Sequence, residues 1–122
     1  MRELDPESQR KARLEKVMRL VDRGLNVEDP YRVDVRGELA FGSNVRIEIN
    51  VIFKGQVSLG NDVTIGANCI IEDSSIEDGV TIADFTTVSS ARVGAGSRVG
   101  PYARLRAGSE IGATCQIGRA HV

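Results

Sequence analysis

From Val35 onward an aliphatic or Phe residue returns every six positions. The series runs Val35, Phe41, Ile47, Phe53, Leu59, Ile65 and Ile71, then takes one step of five to Ile76. It continues through Ile82 and Val88, takes a second step of five to Val93, and goes on with Val99, Leu105, Ile111 and Ile117. Four places after most of these sits a small or β-branched residue, as at Val45, Val51, Val57, Val63, Cys69, Ser97, Ala103, Ser109 and Cys115. The place directly after the leading aliphatic is often Gly, Ala or Glu. A period of six is neither the 3.6 of a helix nor the 2 of a simple half-buried strand. It fits a mainly β fold, a parallel β-helix of hexapeptide repeats, in which each unit supplies one side and one corner. Three units close a coil, and the leading aliphatic and the small residue both face inward. The fifteen units predict about five coils, a prism roughly 24 Å tall at ~4.8 Å per coil. The two five-residue steps start three units apart, at Ile71 and Val88. They are therefore expected on one side of consecutive coils, where a shared local flattening would absorb both.

Before Val35 the pattern is different. Leu14, Val17, Met18, Val21 and Leu25 recur at spacings of three and four, the apolar stripe of one helix. Asp5-Pro6 is a start signal, Asp as N-cap and Pro at the first helical position. Gly24 suits the C′ place that ends the helix, and Asp29-Pro30 enforces an extended exit. The other face carries Arg10, Lys11, Arg13, Arg19 and Arg23. Acidic neighbours balance them, so it reads as a solvated face. The chain thus divides into a helix with its exit (1–34) and a repeat domain (35–122).

Charge sharpens this division without changing it. The formal net charge is −1. Residues 91–122 nevertheless carry Arg92, Arg98, Arg104, Arg106 and Arg119 against the lone acid Glu110. Aromatics are 4 %, with no Trp, so the core rests on Val, Ile and Leu. A near-neutral, aromatic-poor chain lacks both the basic field and the stacking platforms of a general nucleic-acid binder. No apolar run approaches the ~18 residues of a membrane span. Cys69 and Cys115 fall in inward slots, on different sides and nearly three coils apart, beyond the ~7 Å Cα limit for a disulfide. They read as buried free thiols of a reducing compartment, not as nucleophiles. The Thr residues form no flat ladder. A single His, His121, cannot build a multi-histidine metal site. It falls in a slot meant for a small residue and is not read as a catalytic base. Residues 117–122, Ile-Gly-Arg-Ala-His-Val, match the translation of a common sequencing adapter and are expected to be adapter-derived.

Two stretches are more specific than the hexapeptides. They are Asp29-Pro30-x-Arg32-x-Asp34-x-Arg36-Gly37 and Tyr102-Ala-Arg-Leu-Arg-Ala-Gly108. With the repeat between them they resemble the bacterial bifunctional N-acetylglucosamine-1-phosphate uridyltransferase / glucosamine-1-phosphate N-acetyltransferase family, over residues 10–116. The resemblance implies a left-handed coil, against the usual crossover hand, in a cytoplasmic homotrimer. It implies acetyl-CoA as co-substrate and glucosamine 1-phosphate as acceptor. The product, UDP-N-acetylglucosamine, serves peptidoglycan and lipopolysaccharide synthesis. It also implies Mg²⁺ in a preceding nucleotidyltransferase domain. By the same resemblance the chain begins within the family's linker helix, and the family's catalytic His and acetyl-CoA contacts belong to later coils. No catalytic residue, bound cofactor or metal ligand is therefore expected in these residues, which are expected to be inactive alone. One substrate residue carries over: Arg106, the second Arg of Ala-Arg-Leu-Arg. The residues point to the same place, because Arg106 interrupts the run Gly94, Gly100, Gly112, Gly118. A guanidinium there can fork two hydrogen bonds to a phosphate. A solvated corner arginine is the alternative, since Arg36 and Lys54 break the same rule. A non-catalytic trimeric scaffold and another hexapeptide acyltransferase remain the rival readings.

Overall fold

The computed structural model describes residues 5–119. Helix α1 (Pro6–Asp22) is followed by a parallel β-helix of about five coils. Asp5 caps α1 through its carboxylate, which accepts from the Ser8 N–H at 2.8 Å. That hydrogen bond holds the Asp5 carboxyl below its ordinary pKa. Arg23 closes the helix and Gly24 follows at φ +109°. Val17, Leu20 and Leu25 join the same core as Val33, Val35 and Leu39 of the first coil. The buried stripe differs from the expected one: Met18 is 39 % exposed and Leu20 takes its place inside. The spacing admits either residue. Packing of α1 on the strand Val33–Phe41 selects the face.

The prism has three faces. The first stacks Asn26–Val27, Arg46–Ile47, Thr64–Ile65, Thr81–Ile82, Arg98–Val99 and Gln116–Ile117, all parallel. Two long strands, Val33–Phe41 and Val51–Leu59, run through a corner and so belong to the second and third faces together. Above them the second face continues with Ile70–Glu72, Thr87–Ser89 and Arg104–Leu105. The third continues with Ser75–Ile76, Arg92–Val93 and Glu110–Ile111. From Ile47 to Ile111 every leading aliphatic of the series is buried. Thr64 and Thr81 do pair, but Arg46 and Arg98 bound them, so the threonine run is two rungs long.

In the six-residue units of the first face's corners the residue three places after the aliphatic turns to positive φ, as at Asn44, Asn50, Asp62 and Asn68. The two short units do share one corner, between the second and third faces. They are not a flattening, however. The positive-φ residue moves one place earlier, to Asp73 and Ser90, and the inward slot moves to Ser74 and Ala91. Ser74 compensates the tighter corner: its hydroxyl donates to the Glu72 carbonyl at 2.7 Å and accepts the Ala91 N–H of the next coil at 3.1 Å.

At Gly42, Gly60, Gly66, Gly94 and Gly100 the glycine after a leading aliphatic has a steric cause. The Asp84 carboxylate accepts the Ala67 N–H of the coil below at 2.8 Å. A Cβ on Gly66 would overlap that same oxygen. Asp78 over Gly60 repeats the interlock, and Asp73 does the same over Gly55, two places after Phe53. Not every inward polar group is served. The Thr86 hydroxyl is fully buried with no hydrogen-bond partner among the described residues. An unpaired buried hydroxyl carries a desolvation cost that an isosteric methyl avoids. Thr86→Val is therefore expected to stabilise the fold by about 1 kcal/mol, read as a raised denaturation midpoint. A lowered midpoint would mean that the hydroxyl is paired.

Candidate functional site

Within Tyr102–Gly108, Tyr102, Ala103, Leu105 and Gly108 are each held by a contact of their own. Tyr102 sits at a corner with φ +58° and stacks on Phe85, also at positive φ, with ring centroids 5.1 Å apart and planes 2° from parallel. The Arg119 guanidinium lies 5.6 Å above the Tyr102 ring. The left-handed region costs a bulky residue about 1–2 kcal/mol, which aromatic stacking of about 0.5–1.5 kcal/mol helps to offset. Ala103 fills an inward slot and Leu105 is fully buried. Gly108, at φ +87°, is the third residue of a turn that begins at Arg106. The Arg106 carbonyl accepts twice from Ser109, from its N–H at 3.1 Å and its hydroxyl at 2.7 Å. Its backbone is thereby fixed at the upper end of the second face.

The structure places the Arg106 side chain in solvent. Among the described residues it has no ion-pair partner. Arg36, which made a solvated corner the alternative, is different: its Nε donates to Asp34 at 2.7 Å. Arg104 was not singled out from the sequence. Strand alternation could have found it, because residues two apart leave the same face of a strand. Arg104 and Arg106 flank inward Leu105, and both are exposed.

The thiols remain outside this chemistry. Both cysteines are free; Cys69 is buried, and desolvation pushes its pKa up to about 11. It is a thiol, not a thiolate, at neutral pH. Cys115 is only half-buried, in contrast to the expectation, because it lies in the last described coil, where the core thins at Cys115 and Ile117. Among the described residues no three His, Cys, Asp or Glu side chains converge as a metal site. Ile117 stays in register on Val99. His121 lies outside the described residues.

Residues 35–122 match the family model described as the GMPPB C-terminal domain. The chain belongs to this family. Over 100 residues it is 46 % identical to "Bifunctional protein GlmU" of Cupriavidus pinatubonensis, covering 82 % of this chain and 22 % of that protein. It is 44 % identical over 100 residues to the GlmU protein of Marinobacter nauticus, with the same coverage. The chain spans about a fifth of the length of these curated relatives. A solved structure of a point mutant of AntD, an N-acyltransferase from Bacillus cereus in complex with dTDP and coenzyme A, is 17 % identical. It aligns with a TM-score of 0.46 over 84 % of this chain and 76 % of that one.

Proposed function

We propose that this chain is the linker helix and lower β-helix of an enzyme that acetylates glucosamine 1-phosphate, and that Arg106 holds the phosphate of the acceptor. The observation that carries this reading is Arg106 itself. It is an exposed guanidinium without an ion-pair partner among the described residues, on a backbone pinned by Ser109. The 46 % identity to a bifunctional GlmU protein supports the same reading. In acetyl transfer the sugar amine attacks the thioester carbonyl of acetyl-CoA, the thiolate of coenzyme A leaves, and a base removes the amine's extra proton. Arg106 contributes the fixed end of this arrangement. Charge-assisted hydrogen bonds hold the phosphate while the amine is presented.

In this reading the base and the acetyl-CoA contacts come from other coils, and residues 1–122 alone do not turn over. The second activity makes UDP-N-acetylglucosamine, for peptidoglycan and lipopolysaccharide, in a separate domain that holds Mg²⁺. The described residues here do not fit that metal, since their carboxylates do not converge. The working form is a cytoplasmic homotrimer.

The test is a chimera in which these residues replace the matching segment of the Cupriavidus pinatubonensis GlmU protein. Arg106→Ala in that chimera is expected to raise the KM for glucosamine 1-phosphate. Loss of one charge-assisted contact of about 1.5–3 kcal/mol lowers kcat/KM roughly ten- to a hundredfold. Uridylyl transfer stays unchanged. Acetyl transfer within twofold of the parent chimera would return Arg106 to a solvated corner. A chimera that folds but binds no sugar phosphate would favour the scaffold reading.

A further inference from the structure

The outward positions of the second face come in pairs two residues apart, one pair per coil. From the first coil upward they are Asp34 and Arg36, Ile52 and Lys54, Ile70 and Glu72, Thr87 and Ser89, and Arg104 and Arg106. The lowest pair shows what this spacing permits. Asp34 and Arg36 close a side-chain hydrogen bond of 2.7 Å across the intervening inward Val35. Two outward residues on this face therefore reach one another, although their Cα atoms are about 6.6 Å apart along the strand. An acid and a base at these two places satisfy each other.

The highest pair has the same two-residue spacing with a different charge, with Arg104 in the strand Arg104–Leu105 and Arg106 just past its end. Both places hold arginine, so neither can satisfy the other, and an anion would complete the pair. Among the described residues neither Arg104 nor Arg106 forms an ion pair. Arg92 by contrast is held by Glu77 at 3.0 Å. The coil below sets short hydroxyl side chains beneath the two arginines: Thr87 is in register with Arg104, and Ser89 lies one step past the pairing of Val88 with Leu105. Tyr102, Ala103, Leu105 and Gly108 each have a structural role, in stack, slot, core or turn. The two guanidinium groups are the charged groups of this stretch without an ion-pair partner among the described residues.

We propose that Arg104 and Arg106 form one two-guanidinium clamp for the phosphate monoester of a sugar, with the Thr87 and Ser89 hydroxyls on the rung beneath it. This rests on the reading of Arg106 above and adds Arg104 as a binding residue of the same site. Two guanidinium forks match the oxygens of a tetrahedral dianion, and each charge-assisted hydrogen bond is about twice as strong as a neutral one. Arg104 opens the rung and Arg106 follows its last residue, so the phosphate sits over Leu105 and the sugar projects outward.

The experiment is an NMR titration of the 122-residue chain, reading the Nε–Hε resonances of its arginines. The probes are inorganic phosphate and glucosamine 1-phosphate at neutral pH and low salt. Arg104 and Arg106 are expected to shift on one common saturable isotherm with each probe, while Arg92 and Arg98 stay in place. Arg104→Gln and Arg106→Gln are each expected to weaken binding about tenfold or more. Both side chains are exposed, and the backbone amide spectrum of each variant verifies that the fold persists. If Arg106→Gln weakens binding and Arg104→Gln leaves it unchanged, the clamp is overturned while the reading of Arg106 stands. If neither substitution weakens binding, both fall. Binding of inorganic phosphate without glucosamine 1-phosphate overturns the sugar-phosphate assignment. Equal shifts at all the arginines overturn the site as a whole.

Discussion

Truncating Phe53 to alanine is expected to cost about 3–5 kcal/mol of stability, the range for a large buried aromatic side chain. Phe53 is 1 % exposed and is the largest fully buried side chain of the described residues. It is also the aromatic on which the interior depends: Phe41 is only half-buried and Phe85 is 50 % exposed. In the second face Phe53 lies directly between Val35 below and Ile71 above. Both are held in register by parallel backbone hydrogen bonds, so neither can slide into a vacated ring volume. The cavity stays open and its cost is not recovered by collapse. Phe53→Leu keeps most of the volume and is expected to cost under about 1.5 kcal/mol. Denaturant unfolding checks both, as a lowered midpoint with an unchanged slope. A Phe53→Ala loss below about 1 kcal/mol would mean that the lower coils are not close-packed.

The repeat was legible because a β-helix has one interior column per face, and an inward residue has no other place to go. Ile47, Ile65, Ile82 and Val99 could be assigned to one column from spacing alone, and they stack as neighbouring rungs. The helix was less legible. Its stripe is compatible with either Met18 or Leu20 inward, and only the coil it packs against decides between them. The short units misled for a related reason. A missing residue says where the chain is shorter but not how a corner contracts. The answer lies in the left-handed backbone at Asp73 and Ser90 and in the Ser74 bridge. At the candidate site, Arg106 stood out by breaking a run of glycines, a departure from pattern. Arg104 breaks nothing, since the place before a leading aliphatic tolerates Arg, Thr, Ser or Ile. Its significance comes from the partner that Arg36 has and that Arg106 lacks among the described residues.

Gly37→Ala is expected to be the most damaging small substitution in the lower coils. Gly37 sits at φ +128°, a region that side chains rarely enter, and a Cβ there would overlap the carbonyl oxygen of Gly55. The two penalties are separate. Forcing a residue into that backbone region costs roughly 1–3 kcal/mol. Overlap with a backbone atom that cannot rotate away adds about 1–3 kcal/mol more. Gly55 has little room to yield, because it lies between the pairings of Lys54 with Arg36 and of Gln56 with Glu38. The corner also anchors the helix, since the Lys16 ammonium donates to the Gly37 carbonyl at 2.7 Å. A shift that relieves the overlap therefore loosens α1 from the first coil. A total of about 2–6 kcal/mol follows, with faster amide exchange in both long strands and in the second half of α1. Gly108→Ala separates the two terms. Its φ is +87°, but a Cβ there meets nothing within 4 Å. It is expected to cost only the backbone share, about 1–3 kcal/mol. Equal losses for the two variants would show that the overlap relaxes without cost. In that case the Val33–Phe41 corner is held by its hydrogen bonds, and the absence of a side chain at Gly37 serves only its dihedral angle.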